Sequence, residues 1–439
     1  LELVPFFNGL AEVLSDSADD SGDAVSKTLL LRNISELLVV PRGPVAGRSM
    51  GRVLVISSAA LLIEDGRIAW FGREADYGGP KEGPSYDAGG GCVVPGLIDC
   101  HTHAVFARTR EDEFVKRIEG KSYAQIAEEG GGIRVSVESV RAASVEELVD
   151  VTLPRLRRML HNGVTTVEVK SGYGLRVDDE IKMLRVARIL DERQPIDVVG
   201  TYLAAHTTPR EYADRPAAYL DVVLDDEVLG RIRDEGLAEF CDVFCEKTAF
   251  DVEQSRRVLE TAKRFGLKAK LHADQITRMG AAVLAGEVGA VSADHLETID
   301  DAGIEAMKKA GTIAVLLPGC SFFLGVEQAP ARRMIEADLP VAVATDYNPG
   351  SSMIESLPLV MGIACTQARM TPTEVVVAAT ANAAAALDRQ DRLGAIEVGM
   401  QADLLVLDVN NHHRWLYEPG RNCTRAVIKR GELVVDVRS

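Results

Sequence analysis

The sequence predicts a (β/α)8 TIM-type barrel inserted into a small β-sandwich built from both chain termini. Three observations predict it. Eight apolar, strand-like runs alternate with helical stretches through the middle of the chain, at 93–100, 164–170, 197–205, 240–246, 268–272, 290–295, 312–317 and 341–346. Buried parallel strands read as such continuous Val/Ile/Leu/Ala runs, and eight strand-helix units over about 250 residues match the size of a closed barrel. Short β-rich segments broken by Gly, Pro and charged turns occupy both ends of the chain, as in a small sheet domain split by an insertion. Histidines and aspartates recur at the carboxyl ends of the central runs, the face where barrel strands deliver chemistry.

Taken in order, residues 1–27 read as an acidic, mobile tail, because Asp16, Asp19, Asp20 and Asp23 crowd a stretch of small polar residues. The first part of the sandwich spans 28–92, with strands near 29–31, 37–40, 53–56, 60–63 and 68–71, and Asp65-Gly66 as a tight hairpin turn. The barrel occupies 93–394. Helices are expected at 178–192, 252–265, 300–310 and 354–368, opened by Asp178-Asp179, Asp251 and Asp300-Asp301 at positions that cap or charge a first turn. A long excursion, 104–160, follows the first strand; it carries helices at 121–129 and 145–160 around Gly130-Gly131-Gly132 and is a natural place for substrate-binding residues. The second part of the sandwich covers 395–439, with Leu404-Leu405-Val406-Leu407 and the run 424–435.

Composition narrows the function. The 439 residues and 46% hydrophobic content are enough for one large and one smaller domain. A balance of 49 Lys plus Arg against 66 Asp plus Glu gives a net charge of −17, which argues against binding nucleic acid or an anionic membrane. An acidic substrate therefore needs dedicated arginines. The seven cysteines are scattered in apolar runs, as reduced, buried thiols in a cytoplasmic protein; Cys241 and Cys245 have no second pair and read as strand residues rather than metal ligands. No uninterrupted apolar run approaches the ~18 residues of a membrane helix, and residues 1–27 do not read as a signal peptide.

The first run ends Leu97-Ile98-Asp99-Cys100-His101-Thr102-His103. Alternate residues of an extended strand share a face, so His101 and His103 point the same way and can meet one cation. The third run ends in His206, the fifth in His272, the sixth in His295 and the eighth in Asp346. Five of the eight histidines thus fall at strand ends on one face; His161, His412 and His413 are expected on the surface. Lys170, on the second strand, is expected in an ion pair from which Glu168 is excluded as facing the other side. Glu246 and Lys247, ending the fourth strand, leave a second metal open.

Pro95-Gly96-Leu97-Ile98-Asp99-x-His101-x-His103, with a His after the fifth and sixth strands and an Asp after the eighth, resembles the amidohydrolase superfamily of metal-dependent barrels. Within it, Val167-Glu-Val-Lys-Ser-Gly-Tyr-Gly-Leu175, Thr201-x-x-Ala-Ala-His-Thr-x-Pro209 and Ala344-Thr-Asp-Tyr-Asn-Pro-Gly-Ser-Ser352 resemble the imidazolonepropionase family of histidine degradation. The resemblance implies one divalent metal, zinc or iron, on His101, His103, His272 and Asp346, and hydrolysis of the cyclic amide bond of 4-imidazolone-5-propanoate to N-formimino-L-glutamate. It implies catalytic roles for Asp346, His295 and Gln275, and substrate contacts from Arg110, Tyr123, Tyr173, His206, Gln275, Asn348, Gly350 and Ser351. A homodimer acting on a small acidic molecule is also implied. Gln275 stands where many members carry Glu; an amide only donates and accepts hydrogen bonds, so a base role falls to Asp346 or His295.

Overall fold

The computed structural model describes residues 27–80, 82–121, 125 and 129–437; the expected acidic tail, apart from Lys27, lies outside them. Both ends of the chain build one sheet. From the amino-terminal side come β1 (Thr28–Val39), β2 (Leu54–Glu64), β3 (Arg67–Arg73), β4 (Ser85–Asp87) and β5 (Cys92–Pro95). The barrel strands are β6 (Leu97–Asp99), β7 (Val164–Lys170), β8 (Asp197–Ala205), β9 (Phe240–Cys245), β10 (Lys268–Ala273), β11 (Ser292–His295), β12 (Ile313–Leu316) and β13 (Val341–Val343). The chain returns to the first sheet with β14 (Leu404–Leu407), β15 (Thr424–Lys429) and β16 (Glu432–Asp436). That sheet runs β16-β15-β14-β5-β1-β2-β3, with β4 paired to β1. Asp65 and Gly66, both at positive φ, make the expected β2-β3 turn.

The run 93–100 is not one strand. Gly96 N donates to Asp403 O at 2.8 Å, toward the terminal sheet, while Leu97 N donates to Gly163 O at 3.0 Å, toward the barrel. Val93 accordingly packs in the sheet's own apolar core with Leu31, Leu404 and Val406. The chain changes sheets at Gly96, where a Cβ would stand 2.6 Å from the Thr165 side chain. Only glycine fits this crossing.

In the barrel, each strand pairs in parallel with its sequence neighbour from β6 to β13. The ends of that order are joined by a Thr102–Tyr347 bridge, by His103 N donating to Tyr347 O and Asp346 N to His101 O, each at 3.0 Å, and by Thr345 held on the Asp99 carboxylate. Burial drives the Asp99 carboxyl up to about 7, against the opposing pull of its Thr345 hydrogen bonds. The outer helices follow the capping signals: Ser144 and Glu147 form a capping box at Val145–His161, Asp251 and Gln254 another at Val252–Arg264, and Asp300 caps Asp301–Ala310. Two helices were not foreseen in the long excursion, Glu111–Ile118 and Ile133–Ala142. Arg155 ties the excursion down, donating to Ala104 O and Phe106 O at 2.9 and 2.7 Å with its guanidinium over the Phe106 ring.

No helix among the described residues is long and apolar enough to cross a membrane. His412 is not on the surface as expected. It is buried, with Nδ1 2.6 Å from Glu36 and Nε2 2.9 Å from Thr373, because the helix His412–Tyr417 packs back between the terminal sheet and the barrel helices. A second buried joint is Asn382, in a π-helical turn. It accepts from Val45 N and donates to Val45 O and Val341 O, pinning the segment after β1 to the last barrel strand. Asn382→Ala strands three buried backbone groups and is expected to cost roughly 2–4 kcal/mol, read from urea unfolding; an unchanged midpoint would show that the joint contributes nothing.

Candidate active site

The seam between β6 and β13 assembles the first group of functional side chains. His101 and His103 extend β6, Asp346 follows β13, and the backbone bonds across the seam set them side by side. His101 Nε2 and His103 Nε2 each lie 3.6 Å from Asp346 Oδ1. His272, on β10, brings its Nε2 to 3.4 Å from His103 Nε2. All four side chains are buried, and His101 Nε2 has no hydrogen-bond partner. Burial above all, then the Lys170 and His272 charges, holds His101 well below the usual histidine range; burial, with His206 and His272, does the same to His103. Both rings are therefore neutral, the form that offers a lone pair. Two overlapping trios, His101-His103-His272 and His101-His295-Asp346, bring their ligand atoms close enough to hold a metal ion, and neutral imidazoles with a carboxylate are a donor set that suits a divalent one. Asp346 takes a left-handed backbone, φ 51°, to reach this position, the kind of local strain found at functional sites.

The rings are braced from behind. Asp294 Oδ2 lies 2.6 Å from His101 Nδ1, and Asp242 Oδ2 lies 3.1 Å from His272 Nδ1. Such carboxylates fix the tautomer that aims Nε2 forward. Contrary to expectation, Glu168 pairs with Lys170, at 3.0 Å. The two-residue period of a strand puts 168 and 170 on one face. The Glu246 carboxylate accepts from Lys247 N, Ile276 N and Thr277 N, and Lys247 is exposed.

Around the donor set stand the residues of the barrel mouth. His295, at φ 80°, has Nδ1 3.6 Å from Glu297 Oε1, which also accepts from Ser321 Oγ at 3.1 Å. Burial pulls the His295 imidazole down, but Glu297, Asp346 and Asp294 together raise it above the ordinary histidine value. Gln275 Nε2 reaches Cys320 Sγ at 4.0 Å; burial keeps that thiol protonated. His206 stacks on His103 at 5.2 Å, its Nδ1 3.0 Å from Gly172 O, and the Tyr173 ring lies 5.7 and 5.6 Å from those of His103 and His206. The Tyr173 turn is built on Glu180, whose buried carboxylate accepts from Gly172 N, Gly174 N and Leu175 N at 2.7–2.8 Å.

Arg110 is oriented by Glu113, 2.5 Å away, which in turn accepts from Gly132 N. Its Nη1 lies 2.5 Å from where a Cβ on Gly350 would stand, so a side chain there would displace the guanidinium. The Asn348 amide folds its own loop, donating to Asp346 O and accepting from Gly350 N and Ser351 N. Ser351 Oγ lies 3.4 Å from Asp346 Oδ2. Tyr123 is outside the described residues.

Residues 92–434 match the amidohydrolase family. The chain is 45% identical to the imidazolonepropionase of Geobacillus sp. (strain WCH70), over 93% of this chain and 98% of that one. It is 46% identical to the imidazolonepropionase of Fusobacterium nucleatum, over 92% and 98%. This chain belongs to the imidazolonepropionase branch of the amidohydrolase family. Solved structures share its fold: a zinc-bound adenosine deaminase from Xanthomonas campestris superimposes with a TM-score of 0.69 at 19% identity, covering 93% of each chain. Guanine deaminase from C. acetobutylicum superimposes with a TM-score of 0.66 at 14% identity, covering 93% of this chain and 100% of that one.

Sequence reasoning did not single out Asp242, Asp294, Glu180, Glu113, Glu297 or Cys320. The signal was there for two of them: Asp294 adjoins His295, and Asp242 has the strand parity of a barrel-facing residue. Glu180→Gln replaces two accepting oxygens by one and aims an NH2 at a buried amide. It is expected to cost about 2–3 kcal/mol in chemical unfolding; a loss under about 0.5 kcal/mol would mean that the Tyr173 turn holds itself.

Proposed function

We propose that this member of the imidazolonepropionase branch hydrolyses the ring C–N bond of 4-imidazolone-5-propanoate, giving N-formimino-L-glutamate in histidine degradation. The convergence of His101, His103, His272 and Asp346 across the barrel seam carries this reading, and the extended likeness to imidazolonepropionases supports the substrate. Those four residues would hold one zinc or iron ion, which supplies the Lewis acidity that makes a water nucleophilic near neutral pH.

The rest of the chemistry belongs to side chains. Arg110, half-buried and held by Glu113, offers its guanidinium to the propionate carboxylate. Tyr173 and His206 form an aromatic side wall against which a flat ring can lie. His295 faces the same centre, 5.6 Å ring to ring from His101 and 5.3 Å from His272, and polarises the ring carbonyl as charge develops on its oxygen. Asp346 takes the proton of the attacking water and passes it to the departing ring nitrogen. Gln275 contributes hydrogen bonds alone. The family likeness also supports a homodimer in the cytoplasm.

Loss of the ultraviolet absorbance of freshly made 4-imidazolone-5-propanoate, followed with metal content measured on the same sample, tests the reading. Rapid loss is expected with one ion per chain, falling by at least about 10³-fold in Asp346→Ala and on chelation; no turnover by fully metallated protein would refute the substrate. Gly350→Ala, by displacing Arg110, is expected to raise KM about tenfold with kcat little changed. An unchanged KM would remove Arg110 from the carboxylate site.

A further inference from the structure

Beneath the donor set, the barrel interior carries charge where apolar layers are usual. Glu168 and Lys170 from β7, Asp242 from β9, Lys270 from β10 and Asp294 from β11 meet there with no side-chain exposure. Lys170 Nζ stands 2.8 Å from Asp242 Oδ2, 3.0 Å from Glu168 Oε1 and 3.4 Å from Asp294 Oδ2. Lys270 Nζ takes the other Glu168 oxygen at 2.9 Å, donates to Cys100 O and Ala386 O, each at 3.3 Å, and lies 5.3 Å from the centre of the Phe240 ring. Buried ions persist only when paired, and here three carboxylates share two ammoniums.

Two of those carboxylates are the braces of the histidine ligands. Asp294 holds His101 Nδ1 at 2.6 Å, while Asp242 lies 3.1 Å from His272 Nδ1 and also accepts from His272 N. Lys170 therefore touches both braces and neither ring. Lys270 contacts neither brace within 4 Å.

We propose that Lys170 is a positioning residue for the metal centre, its ammonium setting Asp242 and Asp294 from below and, through them, the directions in which His272 and His101 present Nε2. The inference rests on the metal centre proposed above. Take Lys170 away, and two carboxylates that now share one cation are left facing each other in a medium that screens their repulsion poorly. They turn apart, and each ring follows its brace. The effect is specific to this lysine, because Lys270 is already engaged by Glu168 and two backbone carbonyls.

The test measures metal release to a competing chelator from the zinc-loaded full chain, and the visible absorption of the cobalt(II)-loaded form, which reports ligand geometry. Lys170→Met is expected to weaken metal retention by ~10–100-fold and to shift the cobalt bands. Retention within about twofold of the unsubstituted protein, with unchanged bands in a folded protein, overturns the proposal. Should Lys170→Met fail to fold, Asp242→Asn is compared with the double variant Lys170→Met/Asp242→Asn, which removes one charge of each sign. Losing Lys170 in that background is expected to cost at least about threefold in retention and to move the bands through Asp294; identical behaviour of the pair overturns the proposal. If the unsubstituted protein binds no metal, the metal centre falls and this inference with it, whereas firm binding that survives in the variants removes only the role of Lys170.

Discussion

The site depends on how the barrel closes. The first and last barrel strands, β6 and β13, are three residues long, and their pairing is continued by the residues just beyond them, through backbone bonds between His101 and Asp346 and between His103 and Tyr347. The bonds that close the barrel are thus the bonds that set two histidines beside the aspartate. A change that loosened this seam would open the barrel and scatter the donor set together. Asp99 and Thr345, bonded below the same seam, reinforce it where no solvent competes.

From that seam outward the site is held by polar groups that are themselves buried, apart from the half-buried Glu113. Asp242 and Asp294 stand behind two rings, Glu180 gathers three amides under Tyr173, and Glu113 holds Arg110. Each carboxylate is kept in the interior by partners, since an unpaired one would take up a proton or turn to water. The result is a rigid cup in which few reactive atoms retain unused bonding capacity. His101 Nε2 is one of them, and it points at the centre.

The terminal sheet serves the barrel mechanically. Its strand β5 runs directly into β6 through Gly96, and Asn382 and His412 join it to the barrel's last strand and outer helices. Sheet and barrel are packed as one body around the strand that carries the first two candidate ligands. The barrel also carries a large polar content in its core, where Glu168, Asp242 and Asp294 share the ammoniums of Lys170 and Lys270.

Much of this was legible from the chain alone. Continuous apolar runs at regular spacing establish eight buried strands, and the two-residue period of a strand pairs His101 with His103; both are local rules that need no knowledge of neighbours. The same logic places His272, His295 and Asp346 at strand ends on one face. What local rules cannot decide is which residues meet across the barrel. The split at Gly96 comes from hydrogen bonds to Asp403 and Gly163, far away in sequence. The burial of His412 comes from a helix folding back onto β1, and the carboxylates behind His101 and His272 come from strands β11 and β9. The expectation that Glu168 faces away from Lys170 failed on the strand period itself, whereas their shared partners could be found only in three dimensions. The sequence by itself determined the repeated strands and the chemical types at their ends, because backbone periodicity is local. Tertiary structure decided the seam, the braces and the buried charge pairs, because those are long-range contacts whose strength depends on the exclusion of water.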